Sequence, residues 1–298
     1  YSHAPLGYAR QVAEALACLL CNKFGFPAGN VTLLLDKQAT RQAIMEAFLS
    51  LAERNINVDD RVLFFFPGHG CTKTGRRGEV GYLVPVDGEV NTLSSLIRWD
   101  DLTKNSDLIP AKHILFIMDA CYGGLAISRA SIGGSSRFLN DMLQRYTRQV
   151  LTAGKADQEV ADSGGPRPGH SVFTGHLLDA LEDEAADDDG VITASSVMSY
   201  VYNKVSCDPN SCQTPNFGCI DGDGDLVLQM PRVQAVHAPD EGGDLLVQLP
   251  PTQSSTIYVN EEASLAETIK EFLSDTKYRI RLDDLASNQL RSFLYEIR

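Results

Sequence analysis

Long apolar runs are missing from this chain. No stretch of its 298 residues approaches the ~20 consecutive apolar residues that cross a bilayer, so no membrane partner is expected. The first residues lack a basic stretch followed by an apolar one, so no signal peptide is read there. Positive charge is scarce: 26 Lys and Arg against 39 Asp and Glu leave a formal net charge of −13. An acidic surface repels phosphate backbones, which argues against nucleic acid as a partner. It either favours basic peptides or only keeps the protein soluble. Cysteines do not pair off, because their number is odd: Cys18, Cys21, Cys71, Cys121, Cys207, Cys212 and Cys219. In a chain long enough to bury a core, free thiols point to a reducing compartment and a cytoplasmic location. No Gly-x-Ser-x-Gly elbow occurs, which argues against a serine hydrolase.

Other chemistries have only fragments of a motif. Cys18 and Cys21 share a helix face, as a metal half-site or, as expected here, as two core thiols. Cys207, Cys212 and Cys219 fall in a Pro/Asn/Gly-rich stretch without the spacing of a zinc site, and read as structural. Asp221, Asp223 and Asp225 alternate with glycine but lack the downstream Glu of an EF-hand, and read as a turn. The acidic run 182–189 reads as a solvated loop.

What is present is an alternation of two periods. Residues 8–20, 40–53, 172–181 and 195–205 carry helical patterns, with Thr40 as a cap and Ile44, Ala47, Phe48 and Leu51 on one face. Residues 31–35, 61–66, 113–118 and 149–152 are short β-branched and apolar runs. Strands apolar on both faces and separated by helices predict a mostly parallel sheet covered on both sides, an α/β layered domain over residues 1–231. Residues 232–298 read strand, strand, helix, strand, helix. They form a small C-terminal α+β module, ubiquitin-like in order, that could serve a regulatory partner.

Two of the apolar runs end in reactive residues. The first runs into Pro67-Gly68-His69-Gly70, the second into Asp119-Ala120-Cys121-Tyr122-Gly123-Gly124. Chemistry in such sheets sits beyond the carboxyl ends of the strands. An imidazole can take the proton of a thiol, and the thiolate then attacks a carbonyl. Backbone N–H groups of Gly70 and Cys121 are the expected donors to the resulting oxyanion.

These segments resemble the caspase and metacaspase superfamily. Val62-Leu63-Phe64-Phe65-Phe66-Pro67-Gly68-His69-Gly70 is similar to its His-Gly strand end. Ile114-Leu115-Phe116-Ile117-Met118-Asp119-Ala120-Cys121-Tyr122-Gly123-Gly124 is similar to its cysteine strand, about fifty residues on. Gln213-Thr214-Pro215 followed by Asp223-Gly224-Asp225-Leu226 resembles the end of the domain. The resemblance implies a caspase-like layered α/β/α fold and a cysteine endopeptidase, made as a zymogen and self-processing after the catalytic Cys. Arg129, Arg137, Arg145 and Arg148 are the candidate processing sites, and 128–136 the most accessible stretch.

Asp119 takes the position where Asp-specific caspases carry Gln and metacaspases carry Asp. The resemblance therefore implies a substrate pocket for Arg or Lys, with Asp119 in it; a strand-end carboxylate satisfied by backbone N–H groups is the other reading. Residues 155–162 are similar to the Lys-x-Asp-Gln-x-x-Ala-Asp loop of metacaspases, which brings in Asp157. Two features depart from the pattern. The chain starts at Tyr1 as though the family's first strand were missing or disordered, and Gln11 stands where a second pocket carboxylate is common. Asp100 and Asp101 match an aspartate pair that binds calcium in some relatives, or else begin a helix; Ser128 falls where another acid is looked for. Calcium is the only cofactor implied, and none is required by the chemistry. His113, His170 and His176 are expected to be structural, and Trp99 to pack.

Overall fold

The computed structural model describes residues 7–76, 78–121, 136–154, 161 and 163–230. The module expected at 232–298 lies outside them. Helices are α1 (Ala9–Phe24), α2 (Arg41–Glu53), α3 (Trp99–Asn105), α4 (Ser136–Gln144), α5 (Val172–Asp179) and α6 (Ala194–Cys207). Strands are β1 (Arg61–Pro67), β2 (His69–Gly75), β3 (Gly78–Val84), β4 (Ile97–Arg98), β5 (His113–Cys121), β6 (Thr147–Gly154), β7 (Ile192–Thr193), β8 (Asn216–Gly222) and β9 (Val227–Gln229).

The main sheet has the order β1-β5-β6-β8, with β1, β5 and β6 parallel and β8 antiparallel. Alternation along the strands divides the core in two. Leu115, Ile117 and Leu151 pack on α1, α5 and α6. Ile114, Phe116, Met118 and Val150 pack on Ile44 and Phe48 of α2 and on Trp99 of α3. Burying apolar side chains on both faces is what a continuous apolar strand requires, and Ile114–Met118 are at most 1% exposed. Two helix ends have local causes, one of them the cap read from the sequence. Thr40 Oγ1 accepts the Ala43 N–H at 3.2 Å to start α2. Gly25, at φ +69°, closes α1 in the left-handed conformation. Among the described residues no helix is long and apolar enough to cross a membrane.

Several expectations are corrected. Residues 31–35 are extended at both ends (Val31 φ −92°, ψ 120°; Leu35 φ −104°, ψ 142°) but join no sheet among the described residues. A cavity of about 860 Å³, with Leu16, Val31, Ile44, Phe48 and Phe65 in its walls, lies against β1 where a neighbour would pair. Cys18 and Cys21 are not core thiols. The buried stripe of α1 is Val12, Leu16, Leu20 and Phe24, which leaves Cys18 exposed and Cys21 half-buried. The three later cysteines separate: Cys207 ends α6, Cys212 is an exposed loop residue, and Cys219 is buried in β8, opposite Gln149. The helix read over 172–181 is α5 followed by a wider π-type turn at Ala180–Glu184.

A candidate active site at two strand ends

β1 and β5 pair in parallel register from Arg61 opposite His113 to Pro67 opposite Asp119. The Gly68 N–H donates to the Asp119 carbonyl at 3.2 Å, which carries the pairing one step past the strand. His69 comes next, where the chain turns into β2; there His69 pairs with Val84 and Gly70 with Leu83. Cys121 is the last residue of β5, opposite Gly154 of β6. The β5–β6 register is irregular between Met118 and Cys121, a local kink of the sort that re-aims strand-end residues. The backbone thus brings His69, Gly70 and Cys121 to one end of the sheet, at the carboxyl ends of two parallel strands. His69 and Gly70 are partly exposed there, and Gly68 is buried.

Asp119 sits beneath this end at 6% exposure. Its Oδ2 accepts two hydroxyl hydrogen bonds, from Ser171 Oγ at 2.5 Å and Thr174 Oγ1 at 2.6 Å. Ser171 is also the N-cap of α5, accepting the Thr174 N–H at 2.9 Å. Two side-chain hydroxyls from the start of α5 hold the carboxylate. Sequence reading missed Ser171 and Thr174; the signal available was a Ser cap followed by Thr on the first turn of a helix.

The family model of the caspase domain matches residues 1–233. The chain belongs to that family. A solved structure of a protein from Geobacter sulfurreducens is similar at 19% identity and a TM-score of 0.49, over 74% of this chain and 85% of that one. No curated protein matches.

Within this caspase domain the remaining expected residues are placed as follows. Gln11 lies beside the turn leading to Ser171: a Cβ at Gly169 (φ +77°) would come within 3.0 Å of Gln11 Oε1. Asp157 lies outside the described residues, but the described residues on either side of it, Ala153 and Ala161, are held. Gln213, 2% exposed, donates to the Ala153 carbonyl at 3.0 Å and accepts the Ala161 N–H at 2.8 Å. Sequence reading had used Gln213 only as part of a terminal motif.

Asp100 and Asp101 stand in the first turn of α3, and Asp100 is ion-paired with Arg98 at 2.5 Å. Calcium takes about six to eight oxygens. Two carboxylates, one already paired, supply only part of such a set. Among the described residues no group of three or more His, Cys, Asp or Glu is placed to hold a metal.

Arg148 is corrected as a processing site. It lies in β6 at 2% exposure, and its guanidinium donates to the carbonyls of Ser106, Ile109, Ala111, Lys112 and Thr147. A protease could reach that bond only in an unfolded chain. Arg145 is paired with Asp141 at 2.9 Å and with Asp223. Arg137 lies on α4, and Arg129 lies outside the described residues. Asp225 is buried and accepts from Gln149 Nε2 at 2.8 Å and from the Ser195 N–H at 3.1 Å, whereas Asp221 and Asp223 are exposed. His176 bonds Asp208 at 2.9 Å, and Trp99 packs edge-on against Phe116 at 5.2 Å.

Proposed function

We propose that this caspase-domain protein is a cysteine endopeptidase of the metacaspase type, cutting its protein substrates after Arg or Lys. The observation that carries this reading is the parallel pairing of β1 and β5 up to Pro67 and Asp119, which leaves His69 and Cys121 each two residues further on. In the proposed reaction the Cys121 thiol gives its proton to His69, and the sulfur attacks the scissile carbonyl carbon. The negative charge moves to the carbonyl oxygen, and the N–H groups of Gly70 and Cys121 are its donors. Collapse breaks the C–N bond, with His69 returning the proton to the leaving amine. Water then hydrolyses the thioester and regenerates the thiol.

Asp119 is the proposed partner of the substrate's basic side chain. A buried carboxylate gains a charge-assisted contact with a guanidinium and repels an acidic side chain. Arg129, Arg137 and Arg145 are the proposed sites of self-processing. The reading is tested with fluorogenic peptides ending in Arg, Lys or Asp, using the wild-type chain and Cys121→Ala, with calcium and with chelator. Cleavage after Arg and Lys that vanishes in Cys121→Ala is expected. Cleavage after Asp would overturn the role of Asp119. Silence on every peptide in both calcium and chelator would favour a catalytically inactive scaffold.

A further inference from the structure

We propose that Ser171 and Thr174 are positioning residues that set the charge and the orientation of Asp119 for substrate recognition. This rests on Asp119 being the carboxylate that meets the basic side chain. The starting point is a conflict. Asp119 is 6% exposed, and burial by itself favours the protonated, uncharged carboxyl. An uncharged Asp119 would lose most of its attraction for Arg or Lys. Two hydroxyl donors at 2.5 and 2.6 Å resolve the conflict, because hydrogen bonds to the ionised form favour it. Both come from the first turn of α5, whose positive end further favours an anion.

Orientation follows from the same contacts. Both hydroxyls converge on one oxygen, Oδ2, and this fixes the plane of the carboxylate. A fixed plane is what a bidentate contact with a planar guanidinium needs, and an ammonium needs it less. The donors are themselves fixed. Ser171 Oγ is held by the Thr174 N–H at 2.9 Å, and Thr174 is fully buried. The turn ahead of them is tightly packed: a Cβ at Gly165 would come within 2.7 Å of the Val172 Cα. Residues on α5 therefore act on the substrate through Asp119, without touching it. Loss of a hydroxyl should be felt more by Arg than by Lys substrates.

The test compares full-length wild type, Asp119→Asn, Thr174→Val, Thr174→Ser and Ser171→Ala on Arg- and Lys-ending peptides, from about pH 5 to 9. Thr174→Val is expected to raise KM for the Arg peptide about tenfold, with kcat changed by less than about threefold. The acid limb of its kcat/KM profile should move to higher pH, as Asp119 becomes easier to protonate. Thr174→Ser should restore both, and Ser171→Ala should move KM and the limb in the same direction as Thr174→Val. If Thr174→Val and Ser171→Ala lower only the unfolding midpoint and leave KM and the acid limb in place, the hydroxyls merely tie β5 to α5 and the proposal is overturned. A different result sinks the parent reading and this proposal together: wild type that ignores basic peptides, or Asp119→Asn that cleaves them unchanged.

Discussion

His113 opens β5 at 3% exposure, with Nε2 at 3.2 Å from the Met142 carbonyl and 2.9 Å from the Arg145 carbonyl. Both partners are acceptors, so the ring is held with Nε2–H donating. Burial pushes the imidazole below its ordinary pKa, against the two carbonyls; Lys112 adds to the lowering and Asp225 opposes it. The unfolded chain, with a His pKa of about 6.5, binds more protons just below that value than the folded one does. Stability from His113 is therefore complete above about pH 6.5 and is lost as pH falls toward the depressed folded value. Glu182 and Asp208, whose carboxyls are lowered, act at more acid pH. Asp225 is raised by burial and acts with the opposite sign in any variant that retains it. The urea midpoint should fall between about pH 7.5 and 5.5 in wild type, and fall less in His113→Gln, which keeps an N–H donor but cannot titrate. Equal slopes in the two proteins would contradict this account. The structural reading of His113 from the sequence was correct, yet nothing in the sequence could show which carbonyls face it, since both lie about thirty residues downstream.

At the scale of elements, legibility followed composition. β1 and β5 are continuous apolar runs because both of their faces are covered, and a run of that kind can be read. The hairpin of β2 and β3 was not read. His69–Gly75 carries glycine and polar residues suited to a partly exposed sheet, and no alternation stands out. β8 was hidden in the same way: Asn216, Gly218 and Gly222 look like turn residues, although the strand pairs along β6. Residues 31–35 show the reverse error, for an apolar extended run becomes a strand only when a neighbour supplies hydrogen bonds. Gln213 shows what such reading cannot reach. One buried amide ties Ala153, next to the end of β6, to Ala161, where the chain returns toward Ser171. Gln213→Ala leaves a carbonyl and an N–H without that partner, which costs about 2 kcal/mol in buried surroundings. It should also release both ends of the segment carrying Lys155 and Asp157. Trypsin cleavage after Lys155 under native conditions is expected to accelerate by more than the loss in global stability predicts. Acceleration that only tracks the urea-derived stability would mean that Gln213 holds the whole fold and not this segment.

At the scale of the whole molecule, the excess of acid is a property of the full sequence and was visible from it. The formal charge of −13 sets a negative field around the chain. In the proposed reading Asp119 meets one basic side chain, and that field would add a long-range attraction for any further positive charge on the substrate. The two contributions differ in their response to salt. A contact within a buried pocket is screened little, while attraction over more than the Debye length, about 10 Å at 0.1 M, is largely removed. For a peptide with a single Arg, kcat/KM should change little between about 0.05 and 0.5 M salt. For a peptide of the same length with two or three more Lys or Arg away from the scissile bond, kcat/KM should fall steeply over that range. The change should lie in KM, because the distant charges bring the substrate to the site without altering the reacting bond. Steady-state kinetics on the two peptides across salt decides it. Parallel salt profiles would confine recognition to the pocket and leave the acidic surface only its role in solubility.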